Sequence, residues 1–177
     1  RVVNEAKFIA YYMLSGGGFD RSLPQKAVAR GFEIVREFVD AAGKPLQRVK
    51  QGDEFDVVLR VRAIDRDAAS HVVIVDLLPG GFEVVLQPPG QPESGSGERQ
   101  SPQSYQWSSR LATDKTTWMT EYTDVREDRV LLFGHLTRDV STFVYRVKAT
   151  AAGTFSIPPP FGEGMYDRTL FAQGLGG

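Results

Sequence analysis

The sequence predicts an all-β chain, an antiparallel β-sandwich with little or no helix. Phe55, Val57, Leu59, Val61 and Ala63 point one way while Asp56, Arg60 and Arg62 point the other, a period of two that marks a half-buried strand. Residues 143–149 repeat the alternation and supply a second inner face to pack against the first. Six or more short apolar runs are joined by Gly- and Pro-bearing turns, and no convincing long helical pattern separates them.

Residues 1–20 are an apolar lead-in, Val2-Val3 and then Phe8-Ile9-Ala10-Tyr11-Tyr12-Met13-Leu14, stopped by Gly16-Gly17-Gly18. This reads as a strand whose partner lies in this domain or in a neighbouring one. Ser22-Leu23-Pro24 resembles a helix start, and Gly31 interrupts any helix continuing from it. Residues 32–40 are rich in β-branched and aromatic types and form a strand, with helix as the competitor. Asp40 to Pro45 is a turn, because Gly43 and Pro45 occupy the reversal, and Val49 to Glu54 is a second short turn unit before the strand at 55–63.

A polar connection at 65–70 precedes residues 72–78, which are nearly all apolar, as a central strand covered on both faces requires; Leu78-Pro79-Gly80-Gly81-Phe82 ends it. Residues 88–104 are rich in Pro, Gly, Ser and Gln. They cannot bury enough surface to offset their ordering entropy, so a mobile insertion is expected, with a linker between domains as the competing reading. Order resumes around Trp107 and Trp118, residues 119–125 stay unassigned, and 130–136 is another apolar strand. The chain then reads as a hairpin, 143–150 and 154–157 about Ala151-Ala152-Gly153. It runs through Pro158-Pro159-Pro160 into an apolar tip, Phe161-Gly162-Glu163-Gly164-Met165-Tyr166-Asp167, and 174–177 trail off. The division that follows is a lead-in at 1–23 and one sandwich at 24–177.

Composition narrows the function. The 177 residues suffice for one all-β domain or a domain with a fragment of its neighbour, and the net charge is -1, from 21 basic and 22 acidic residues. No block of like charge supplies the basic face that nucleic-acid binding needs. No run approaches the roughly 18 apolar residues of a membrane span. The N-terminus lacks a signal-peptide pattern, and Arg1 in place of methionine suggests a processed or excised part of a longer protein. With no cysteine there is no disulfide framework and no thiol nucleophile.

Catalytic chemistry finds no support. His71 and His135 lie far apart in the chain, each beside an apolar strand, and no cluster at zinc-ligand spacing surrounds either. Gly95-Ser96-Gly97 is no nucleophile elbow, and the glycine runs match neither the phosphate loop nor the dinucleotide fingerprint. The carboxylates of Asp53-Glu54 and Glu127-Asp128 are strand or turn neighbours that point apart. Asp124, Arg126, Glu127, Asp128 and Arg129 form a mixed cluster, read as an ion-pair network in preference to a calcium site. Neither an enzyme, a cofactor nor a metal is expected. Binding is the work left over. Large apolar residues in a Gly-flanked loop, Phe161, Met165 and Tyr166, either meet a partner or fold back over the core.

Several segments together resemble the C-terminal domain of bacterial α2-macroglobulins: Gly31-Phe32-Glu33-Ile34-Val35-Arg36, Val49 to Glu54, Val57 to Arg62, Asp76-Leu77-Leu78-Pro79-Gly80-Gly81-Phe82-Glu83, Arg126 to Val130, Tyr145 to Ala149, and Gly153-Thr154-Phe155 through Met165-Tyr166-Asp167. The resemblance covers roughly residues 25–170. It implies a macroglobulin-like sandwich, the counterpart of the animal receptor-binding domain, at the end of a very large periplasmic protein, either free or anchored to the inner membrane. That protein would be a broad-spectrum protease trap. The implied partners are neighbouring domains of the same protein, target proteases engaged through the parent, and periplasmic proteins; nucleic acid is not among them. Met165 and Tyr166 would form the lid that shields a reactive thioester in a neighbouring domain from water. The thioester cysteine would lie outside this chain, and the 88–104 insertion has no place in the family pattern. The competing readings are an adhesive or structural module of a bacterial surface protein and, from the tryptophans and tyrosines alone, a carbohydrate-binding module.

Overall fold

Backbone pairing turns the period-two segments into two antiparallel sheets. The computed structural model describes residues 3–5, 7–9, 11–13, 15, 22–86 and 110–177. Its strands are β1 (Val28–Arg30), β2 (Phe32–Val39), β3 (Glu54–Ala63), β4 (Ala68–Leu77), β5 (Phe82–Val85), β6 (Thr120–Val125), β7 (Arg129–Thr137), β8 (Ser141–Ala149), β9 (Phe161–Gly164) and β10 (Phe171–Gln173). One sheet runs β1-β10-β9-β4-β7-β6 and the other β2-β3-β8-β5. The described residues contain no helix. The predicted all-β sandwich is what forms.

Register decides which side chains meet. In the four-stranded sheet Leu59 faces Phe143, Val57 faces Tyr145 and Phe55 faces Val147, so the odd-numbered residues of β3 and β8 share one buried face. Val72 and Ile74 of β4 and Val130, Leu132 and Leu136 of β7 turn inward from the other sheet to meet them. Full burial of one such side chain contributes about 1.5–3 kcal/mol. Trp118 closes one end, 4% exposed, with its indole N–H donating to the His135 carbonyl at 2.8 Å. The interior also holds one polar bridge between the sheets, Arg36 on β2 and Tyr145 on β8, both bonded to Asp76 on β4.

Several expectations are corrected. Ser22-Leu23-Pro24 starts no helix; the chain passes directly into β1. Gly31, at φ +78°, then carries it from one sheet to the other, and a Cβ there would lie 2.4 Å from Leu170 Cδ2. The described part of residues 1–20 forms no strand, because no described strand pairs with it, and Phe8, Ile9, Tyr11, Tyr12 and Met13 are exposed. Residues 154–157 do not form the second arm of a hairpin. The β8 edge they would have used is occupied by β5. The three prolines, which lack backbone N–H donors, instead carry the chain across to β9 in the opposite sheet. The terminal residues are tied to this crossing: Gly174 N donates to Pro160 O at 2.8 Å, and Gly177 N donates to Ile157 O at 3.0 Å. The insertion at 88–104 and Trp107 lie outside the described residues.

Candidate functional site

The Met165–Tyr166 loop grows out of β9, whose glycines decide how it sits. Gly162 and Gly164 face inward, where a Cβ would approach Ile74 Cδ1 to 2.7 Å and Leu170 Cβ to 2.9 Å. Glycine therefore lets β9 lie flush between β4 and β10. Phe161 belongs to this strand and not to the loop; it is half-buried and pairs with Val75 and Gln173. The structure thus separates Phe161 from Met165 and Tyr166.

After β9 the chain turns on Asp167. Its Oδ1 accepts from the Thr169 backbone N–H at 2.9 Å and from the Thr169 hydroxyl at 2.6 Å, while Oδ2 lies 3.3 Å from Arg66. The Thr169 bonds and then Arg66 hold the Asp167 carboxyl below the ordinary aspartate range, since each favours the charged form. The Leu170 N–H donates to the Asp167 carbonyl at 3.1 Å and completes the turn into β10. Side-chain closure of a tight turn in this way is a local property of aspartate.

Met165 and Tyr166 ride on this base with their side chains outward. Met165 is 49% exposed and Tyr166 is 81% exposed, and neither belongs to the core. The Met165 N–H donates to the His71 carbonyl at 2.8 Å. His71 sits at φ +53° in the bulge of β4, between Ala69 and Val72, and its ring meets Tyr166 edge-on with centroids 5.4 Å apart. On its other side it meets His135 of β7 edge-on at 5.2 Å. His135 Nε2 in turn lies 2.5 Å from Glu121 Oε1 of β6. A row of Tyr166, His71, His135 and Glu121 therefore crosses four neighbouring chain segments of the six-stranded sheet.

The histidine pair escaped the sequence reading. Only the β4–β7 register, which sets Val72 opposite Gly134, brings position 71 beside 135. No local motif carries that information. The mixed-charge cluster resolves into two exposed ion pairs, Arg126 with Asp124 at 2.9 Å and Arg129 with Asp128 at 2.5 Å. Hydrogen bonding from Arg129 lowers the Asp128 carboxyl from its ordinary range. Among the described residues no three His, Cys, Asp or Glu side chains gather as metal ligands would. What the arrangement offers chemically is a rigidly based, exposed Met–Tyr pair with an imidazole row behind it.

Comparison with known proteins agrees with this architecture. Residues 31–168 match the family described as the bacterial alpha-2-macroglobulin MG10 domain. The chain is 38% identical over 175 residues to an alpha-2-macroglobulin homolog of Yersinia pestis, a match covering 98% of this chain and 9% of that protein. It is 33% identical over 170 residues to an alpha-2-macroglobulin of Pasteurella multocida, covering 96% of this chain and 8% of the relative. The chain spans about a tenth of the length of these relatives. Among solved structures it is similar to a native alpha-2-macroglobulin fragment of Escherichia coli that runs from domain MG7 to the C-terminus. That match has a TM-score of 0.67 and 25% identity, over 89% of this chain and 24% of the fragment. It is also similar to Escherichia coli alpha-2-macroglobulin activated by porcine elastase, with a TM-score of 0.65 and 25% identity, over 90% of this chain and 14% of that one.

Proposed function

Because the chain belongs to the bacterial alpha-2-macroglobulin family and carries its MG10 domain, we propose that it is a non-catalytic interaction domain within a protease inhibitor, docking through Met165 and Tyr166 on a neighbouring domain of the same polypeptide. The observation that carries this is the exposure of both side chains, 49% and 81%, on a turn pinned by Asp167 and by the Met165–His71 backbone bond. A fixed, outward apolar pair loses little conformational entropy on contact, and that favours binding.

A position in the part of the parent from domain MG7 onward is supported by the likeness to the Escherichia coli fragment that begins there, and a place at its very end rests on the sequence resemblance alone. Engagement of proteases through the parent is supported by the relative whose structure was obtained after activation by elastase. The periplasmic setting rests on the sequence resemblance alone. Where the neighbouring domain carries a thioester, the Met165–Tyr166 pair shields it by excluding water.

Hydrogen exchange on the full-length protein tests the docking. Met165→Ala with Tyr166→Ala is expected to speed exchange in peptides of another domain while leaving β3 and β8 as protected as before. Exchange that changes nowhere outside residues 160–170 would overturn the reading.

A further inference from the structure

The two sheets differ in what they present to the outside. On the four-stranded sheet the outer side chains include three sets of paired charges, Glu33 with Arg62, Glu37 with Arg60, and Asp56 with both Arg146 and Lys115, around the exposed Val35 and a covered cluster of Val39, Val58 and Val144. On the six-stranded sheet the register lines up two rows of outward side chains. Phe161, Val75 and Leu131 stand side by side in one, and Val73, Phe133 and Tyr122 in the other; Val73 and Val75 are nearly covered by their neighbours, and Phe161, Leu131 and Phe133 are half-buried. Tyr122 leans on Phe133 with ring centroids 5.7 Å apart and is 62% exposed. Charged residues sit at the margins, Glu163 beside Val73 and Asp124 beside Leu131. The Tyr166–His71–His135–Glu121 row borders the patch at one end.

An aromatic and aliphatic centre with a polar rim is the anatomy of a protein interface. We infer that the outer face of the six-stranded sheet around Phe133 and Tyr122 is a docking surface for an apolar face of another domain of the same polypeptide. This inference rests on the family reading above and extends its contact from the Met165–Tyr166 loop to the sheet itself. The occupant is argued from length: matching segments make up only 8–10% of the relatives, so about nine-tenths of such a molecule is other domains joined to this one. Covalent joining raises the local concentration of such a partner to the order of millimolar, so a patch of this modest size suffices.

Photo-crosslinking in the full-length protein tests the surface. A benzophenone amino acid is placed singly at position 122, at position 166, or at position 35 on the four-stranded sheet, where Val35 is 48% exposed. The probe at 122 is expected to cross-link within one polypeptide to a peptide beyond residues 1–177, with a yield roughly tenfold above that at 35, because an interface core excludes competing water. Equal yields at 122 and 35 overturn the inference, as do cross-links within residues 1–177 or between two copies. Cross-linking at 166 without 122 leaves the loop reading standing and removes the sheet surface; the reverse pattern keeps the surface and removes the loop.

Discussion

The Tyr145 hydroxyl donates a 2.7 Å hydrogen bond to Asp76 Oδ2 in the interior between the two sheets. Arg36 reaches the other oxygen, Oδ1, at 2.5 Å and also donates to the Pro158 carbonyl. One buried carboxylate thus joins β2, β4, β8 and the proline crossing. Tyr145→Phe removes one donor and leaves Oδ2 short of a partner, which costs about 1–3 kcal/mol. Asp76→Ala strands the buried Arg36 charge and costs about 3–5 kcal/mol. Urea midpoints measure both, and a loss smaller for Asp76→Ala than for Tyr145→Phe would contradict this account.

The same carboxylate has an unusual pH signature. Burial raises the Asp76 pKa above the ordinary 3.8, outweighing the lowering by Arg36 and Tyr145. The folded state then holds the proton more tightly than the unfolded chain does. Its contribution is fully present below the ordinary value and is lost as pH rises through the folded pKa. Asp167 and Asp128 behave oppositely: their lowered pKa values give stability that is present above 3.8 and lost on acidification. The penalty of Asp76→Asn, from denaturant melts at several pH values, is therefore expected to shrink as pH rises from about 4 towards neutrality. A penalty that grows over that window would reverse the assignment.

Gly162 offers a third check. An added Cβ would meet Ile74 Cδ1 at 2.7 Å and the Val73 carbonyl at 2.8 Å, and backbone cannot yield as a side-chain tip can. Gly162→Ala is expected to cost about 1–3 kcal/mol as overpacking. Thermal unfolding reads this directly, and an unchanged Tm would mean that β9 shifts freely.

The elements legible in the sequence are those with a buried face long enough to show a period. β2, β3, β7 and β8 have eight to ten residues each and were anticipated to within a residue or two. β1, β9 and β10 have three or four residues, and β9 alternates glycine with Phe and Glu, so it reads as loop. Its glycines report a close neighbour, Ile74, that only the assembled sheet supplies. The false hairpin arose because two β-like segments flanked Gly153, while the pairing edge had already gone to β5. Met165 and Tyr166 were legible as large apolar residues in a Gly-flanked turn. Their neighbours His71 and His135, and the Arg36–Asp76 bridge, depend on registers between distant strands and leave no local trace.

His71 supplies a fourth prediction, because its backbone and its ring pull in different directions. At φ +53° an ordinary residue is strained by roughly 1 kcal/mol, and a β-branched one by more. His71→Gly relieves that strain but loses the edge contacts with Tyr166 and His135. The two effects are of similar size, so its stability is expected to stay within about 1 kcal/mol of the parent. His71→Val loses the same contacts and gains strain, and should fall clearly below His71→Gly. Equal melting temperatures for the two variants would show that the bulge relaxes without cost.

The last prediction separates display from core. Met165 and Tyr166 are 49% and 81% exposed, whereas Trp118 is 4% exposed and anchors its indole on the His135 carbonyl. Truncating exposed side chains usually changes stability by no more than about 0.5 kcal/mol, to which the single His71–Tyr166 ring contact adds a comparable amount. Truncating a buried tryptophan costs about 3–5 kcal/mol. Met165→Ala with Tyr166→Ala should therefore leave the denaturant midpoint of residues 1–177 nearly unchanged, while Trp118→Ala lowers it severely. Were the double variant to fall as far as Trp118→Ala, the pair would be holding this domain together, and its exposure could no longer be read as readiness for a partner.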